Sequence, residues 1–98
     1  MNSNNYIPRE IEIPELPESM ISVVEDIAEA VHDSWSTEKT KLGYTYAPVR
    51  CDDPAVGLTH PLLKPYAELS ESDKELDRAT ARTTVAMLIA LGYQIRKA

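Results

Sequence analysis

The chain has 98 residues, 43% of them apolar and 27% charged, a composition that fits one small soluble domain and excludes a disordered tail. A formal charge of −6 opposes nucleic-acid backbones and anionic membranes, which call for clustered Lys and Arg, so neither is expected as a partner. Cys51 is the only cysteine, so no disulfide closes within the chain and a reducing, cytoplasmic location is expected.

Residues 1–5 are polar and asparagine-rich, without the basic and apolar regions of an export signal. Residues 6–17, YIPREIEIPELP, set Ile7, Ile11 and Ile13 among three prolines, which fix φ and remove backbone donors. This predicts an extended arm over 1–17, with Ile11 and Ile13 on one side and Glu12 on the other. A single domain is expected over 18–98.

From Glu18 onward Met20, Val24, Ile27, Ala28, Val31 and Trp35 recur at three- and four-residue spacing, the apolar stripe of an amphipathic helix. Pro17 suits the first turn, Lys39 and Lys41 suit the negative end of the dipole, and Gly43 is the natural left-handed stop. The first helix is placed at about 18–41.

About 26 residues follow before the next helical pattern, holding four of the seven prolines and three of the five tyrosines. Such a length is functional or disordered as a rule. Tyr44, Tyr46, Val49, Leu58, Leu62, Leu63, Tyr66 and Leu69 carry too much apolar surface to leave in water, so the loop is expected to be ordered and to pack as a lid across the helices.

Ser70 is a good N-cap with Asp73 in capping-box position, and Gly92 closes a second helix at about 71–91. Its stripe runs through Leu76, Thr80 or Thr83, Met87, Leu88 and Leu91. From Val85 to Leu91 the helix is apolar almost all round, which places its C-terminal half at the centre of the core. Residues 93–95 then form a short strand paired with 44–46. The fold class is mainly α: two principal helices, a long Pro/Tyr-rich connection and short strands.

Each candidate for chemistry has a plain structural counterpart. Cys51 and His60 are a conceivable nucleophile and base, and Cys51, Asp52, Asp53 and His60 mix soft and hard metal donors. No CxxC, HxxxH or calcium-loop spacing accompanies them, and Asp52 and Asp53 before Pro54 equally well begin a turn. His32 and Trp35 lie on neighbouring positions of one helix surface. In one reading Trp35 anchors the core while His32 bonds to the lid backbone; in the other this edge is the floor of a pocket. Tyr44, Tyr46, Arg50 and His60 combine flat π surfaces with cationic groups suited to a planar or phosphorylated ligand. Otherwise the tyrosines complete the core and Arg50 pairs with a nearby carboxylate.

The succession VVEDIAEAVHDSWSTEKTKLGYTYAPVRCDDP, then THPLLKPYAELSESDKELDRATARTTVAMLIALGYQI, resembles the RyR domain, the repeat unit found in pairs in ryanodine receptors and singly in bacterial and phage proteins. The marks are A-E-x-x-H-x-x-W, G-[WY]-x-Y-x-P-V-R, paired aspartates, H-P-x-L-x-P-[YF] and the closing L-x-A-L-G-[YC], together spanning about residues 18–95. This chain carries Tyr44 where tryptophan is usual, Ala47 where glycine is common, and Cys51 ahead of the aspartates.

The resemblance implies a compact helical module without catalytic activity or cofactor, and not itself an ion channel. Pairing of the receptor repeats implies homodimerisation. The association of such repeats with adenine nucleotides implies a nucleotide-like ligand at Tyr44, Tyr46, Arg50, Asp53 and His60, with His32, Trp35, Gly43 and Gly92 as structural anchors. A protein partner in place of a small molecule, an assembly subunit without any ligand, and a small enzyme built on Cys51, Asp52, Asp53 and His60 remain the alternatives.

Overall fold

The computed structural model describes residues 5–98; the first four residues of the expected arm lie outside them. Two long antiparallel helices form the body. The first, α1, spans Ile21–Lys41 and is led in by a 3₁₀ turn at Glu18–Met20, which the Met20 N–H closes on the Pro17 carbonyl at 2.8 Å. The second, α2, spans Glu71–Ala90, and its N-cap is the expected one: Ser70 Oγ accepts from the Asp73 N–H at 3.2 Å.

Both helices stop in the same way. Gly43 and Gly92 each take φ +96°, and the tyrosine after each sends its N–H back to the carbonyl five residues earlier, Tyr44 to Lys39 and Tyr93 to Leu88. A side chain at φ +96° would be strained, so glycine sets both helix ends.

The helices touch along small residues. Ala28 and Ala81 are fully buried, and Val24, Tyr66 and Leu69 complete the core around them, with Leu16, Ile27 and Leu62 packed against its edge. The buried stripe of α2 therefore differs from the expected one. Leu76 and Leu91 are exposed, while Ala81, Val85 and Ala86 are buried. Arg78 reaches across to α1 instead: its Nε donates to Glu25 Oε2 at 2.7 Å and its Nη2 to Glu25 Oε1 at 3.1 Å.

The connection packs as an ordered lid over the C-terminal half of α1. It holds a strand pair, β1 at Thr45–Tyr46 and β2 at Thr59–His60, parallel, with Thr45 opposite Thr59 and Tyr46 opposite His60. A Cys51 to Thr59 bridge extends it. A 3₁₀ turn at Tyr66–Glu68 then drops Tyr66 onto the core.

Two expectations are corrected here. Residues 93–95 form no strand and do not meet 44–46. Antiparallel packing sends the C-terminal ends of α1 and α2 to opposite ends of the pair, and a 20-residue helix separates them by about 30 Å. Nor is the last part of α2 the centre of the core: Leu88, Ile89 and Leu91 are 39%, 45% and 67% exposed, because the lid covers the other end.

Candidate functional site

The lid and α1 enclose a shallow groove of about 460 Å³. Its α1 wall is Asp33, Ser36 and Thr40; its floor is Tyr44, Thr45 and Tyr46; its far wall is Leu63, Lys64 and Pro65. The helix stop at Gly43 brings the first two walls together by turning the chain straight from α1 into β1.

His32 holds the far wall in place. Its ring is buried, and its Nε2 donates to the Lys64 carbonyl at 2.8 Å, so Nδ1 is left facing Asp77 of α2, 3.6 Å from Oδ2. Burial pushes the Asp77 carboxyl above its usual range. Trp35 is half-buried: its ring stacks on His32 at 5.7 Å and takes the edge of His60 at 4.8 Å.

Of the five expected ligand residues, Tyr44 and Tyr46 line the groove and Arg50, Asp53 and His60 do not. Arg50 is tied to the groove indirectly. Asp52 accepts from the Tyr44 hydroxyl at 2.5 Å and from Arg50 Nε at 3.0 Å, so one carboxylate links the phenol tip to the guanidinium. The Tyr44 hydroxyl, then Arg50, holds the Asp52 carboxyl below the usual range, while Asp52 pushes the phenol up. Lys39 places its ammonium 4.7 Å from the Tyr44 ring centre.

Asp53 serves a turn: its carboxylate accepts from the Ala55 N–H at 2.9 Å, and its carbonyl receives the Val56 and Gly57 N–H groups. His60 is buried beyond the groove, in a separate cavity of about 240 Å³ that it shares with His32, Trp35 and Asp77. Its Nδ1 accepts from the Leu62 N–H at 3.1 Å, so the neutral ring carries its hydrogen on Nε2. Burial, then the positive charges of Arg50 and Lys39, lowers its pKa below 6.5.

The Cys51 thiol is directed at the Asp53 carbonyl, 3.9 Å away. Among the described residues, no group of three or more His, Cys, Asp or Glu side chains stands together in a way that could hold a metal ion.

Asp33, Ser36, Thr40 and Lys64 are groove residues that sequence reasoning did not assign to a small-molecule site, Asp33 having been weighed only as a metal donor. A signal for three of them exists: Asp33, Ser36 and Thr40 fall at three- and four-residue spacing, a polar stripe beside the His32 and Trp35 edge. Chemically, the groove offers phenol faces for a planar group, hydroxyls for hydrogen bonds, one ammonium and one carboxylate. No helix among the described residues is long and apolar enough to cross a membrane. A family model described as the RyR domain matches residues 6–97, nearly the whole chain and most of the arm as well.

Proposed function

Because this chain belongs to the RyR domain family, we propose that it is a non-catalytic, cytoplasmic RyR-type binding module that takes a planar, nucleotide-like small molecule in the groove between α1 and the lid. The observation that carries this reading is the meeting of Tyr44, Tyr46 and Lys64 in one open space of about 460 Å³, the size of a small-molecule site. Tyr46 is 53% exposed and its ring is available for stacking. Lys64 supplies a positive charge opposite it, while Asp33 accepts from donors on the ligand. Nothing in this reading involves a pore or bond making, and no cofactor is assigned.

Isothermal titration with ATP, ADP-ribose and a cyclic nucleotide tests the proposal. Heat is expected with at least one of them, and Tyr46→Ala should weaken that binding about 10-fold or more, since stacking on an aromatic ring contributes about 1–3 kcal/mol per base. Lys64→Ala should weaken phosphorylated ligands more than the unphosphorylated nucleoside. Absence of heat with all three, at concentrations of about 1 mM, would move the function to a protein partner. The observation favouring that second reading is the lid tip, where Val49 and Val56 are 76% and 78% exposed.

A further inference from the structure

The groove between α1 and the lid is lined by two charged side chains, Asp33 on the α1 wall and Lys64 on the far wall, and neither is committed elsewhere. Among the described residues the Asp33 carboxylate and the Lys64 ammonium enter no ion pair and no side-chain hydrogen bond. Their backbone carbonyls, by contrast, are engaged: that of Asp33 receives the Thr37 hydroxyl at 2.9 Å, and that of Lys64 receives His32 Nε2 at 2.8 Å. The second bond ties position 32 to position 64, so Asp33, the next residue, is held at a set spacing from Lys64. The other cations nearby are spent, Arg50 on Asp52 at 3.0 Å and Lys39 over the Tyr44 and Trp35 rings at 4.7 and 5.9 Å.

The α1 wall is one-sided in its hydrogen bonding. Thr40 gives its hydroxyl hydrogen to the Ser36 carbonyl at 2.8 Å, so its oxygen is left as an acceptor. A carboxylate also only accepts, and its two oxygens match a pair of parallel N–H groups. Thr40 lies in the last turn of α1, where the negative end of the helix dipole favours donors as well. This wall therefore calls for a ligand edge made of donors, and the far wall calls for one negative charge. Among nucleotide bases, guanine has that edge: its N1–H and its 2-amino group lie side by side. Adenine and cytosine set their amino group beside a ring nitrogen that is an acceptor, which would meet the carboxylate lone pair to lone pair, and uracil flanks its N–H with carbonyls.

We propose that the groove selects a guanine nucleotide with a single phosphate, the base stacked on Tyr46, its N1–H and 2-amino group donating to Asp33, and its phosphate on Lys64. This rests on the small-molecule reading of the groove and narrows it to one ligand class. The phosphate count follows from charge. One uncommitted ammonium serves a groove whose other charge is negative, in a chain of net charge −6, so a second and third phosphate add repulsion without adding a partner. Asp33 acts as the specificity residue and Tyr46 as the platform that any base would use.

Isothermal titration of the full chain with GMP, IMP, AMP and GTP tests the assignment. GMP should bind about 10-fold or more tightly than AMP, the discrimination that a bidentate contact to a base edge gives. IMP, which keeps the N1–H and lacks the 2-amino group, should fall between them, and GTP should bind no more tightly than GMP. Asp33 is exposed, so Asp33→Asn, checked for native helicity by circular dichroism, should leave the fold intact. Its amide offers one donor and one acceptor group, and the preference for GMP over AMP should shrink to about 2-fold or less. AMP binding as tightly as GMP, a preference that survives Asp33→Asn, or GTP binding more tightly than GMP overturns the assignment; if Tyr46→Ala still abolishes the binding seen, the groove remains the ligand site. No heat with any of the four at about 1 mM overturns the small-molecule reading and this inference with it.

Discussion

Beneath the lid, Ala28 and Ala81 are sealed against Tyr66 and Leu69, Val24 extends this cluster toward the opposite end, and no buried side-chain polar atom among the described residues is left without a partner. The Tyr66 hydroxyl donates to Glu25 at 2.8 Å, Glu25 receives Arg78, and Arg78 also reaches Glu71 at 3.0 Å. At the other end, a run from Val85 to Leu91 that is more apolar still leaves Leu88, Ile89 and Leu91 in solvent. The lesson is that apolar content does not decide where a small domain's core lies. The core lies where a third element is available to close it, and here the long connection closes one end only. The two ends consequently differ: the covered one holds a fixed groove, and the open one leaves apolar side chains exposed.

That contrast can be broken by mutation. The largest expected effect is Tyr66→Ala, which removes the lid's main insertion into the core and should cost about 3–5 kcal/mol in urea unfolding. A loss below about 1 kcal/mol would mean that the lid does not seal the core. Next is Ala81→Leu, which forces extra volume into the closest helix contact and should cost about 1–3 kcal/mol.

A smaller effect tests His60 through pH. Its pKa is lowered from 6.5 in the folded chain, so between 6.5 and that lower value the unfolded chain holds a proton that the folded chain refuses. Stability should be fully present above pH 6.5 and fall as pH drops through this window. His60→Asn keeps an acceptor for the Leu62 N–H but does not titrate, and should flatten the slope. An unchanged slope would assign the dependence to other groups. At lower pH, protonation of Glu25, whose carboxyl Arg78 and then Tyr66 hold below 4.5, removes further stability in both chains.

The smallest expected effect is at the open end. Ile89→Ser should change unfolding stability by less than about 0.5 kcal/mol, as an exposed substitution does. A cost comparable to Ala81→Leu would mean that the open end is closed after all, and the contrast between the two ends would disappear.

Much of this was legible from local chemistry. The α1 stripe, the Ser70 cap, and the stops at Gly43 and Gly92 depend on residues within a few positions of one another, so sequence spacing reveals them. The α2 stripe misled because its buried side is written in small and charged residues. Asp77 and Arg78 do not read as apolar and Ala81 is small, yet Arg78 lies inward through its pairing with Glu25 on the other helix. The strand partner of β1 misled for a similar reason. Thr59 and His60 carry no strand-like run, and their pairing with Thr45 and Tyr46 depends on how the lid folds back.

The site divides the same way. Tyr44 and Tyr46 stood out as aromatic residues beside a helix stop, and both line the groove. Arg50, Asp53 and His60 are close to them in sequence but are committed elsewhere: Arg50 to Asp52, Asp53 to a turn, and His60 to a buried cavity. Lys64 entered only through its wall, which His32 holds by a single hydrogen bond from 32 residues away.

By itself the sequence determined the two helices, their caps, the order of the lid and membership of the RyR domain family, because local spacing and ordered motifs encode each of these. Only the tertiary structure decided which end of the helix pair is covered, which residues share the groove and which apolar face remains open. Those outcomes depend on where a 26-residue connection folds back, a long-range choice that no local pattern contains.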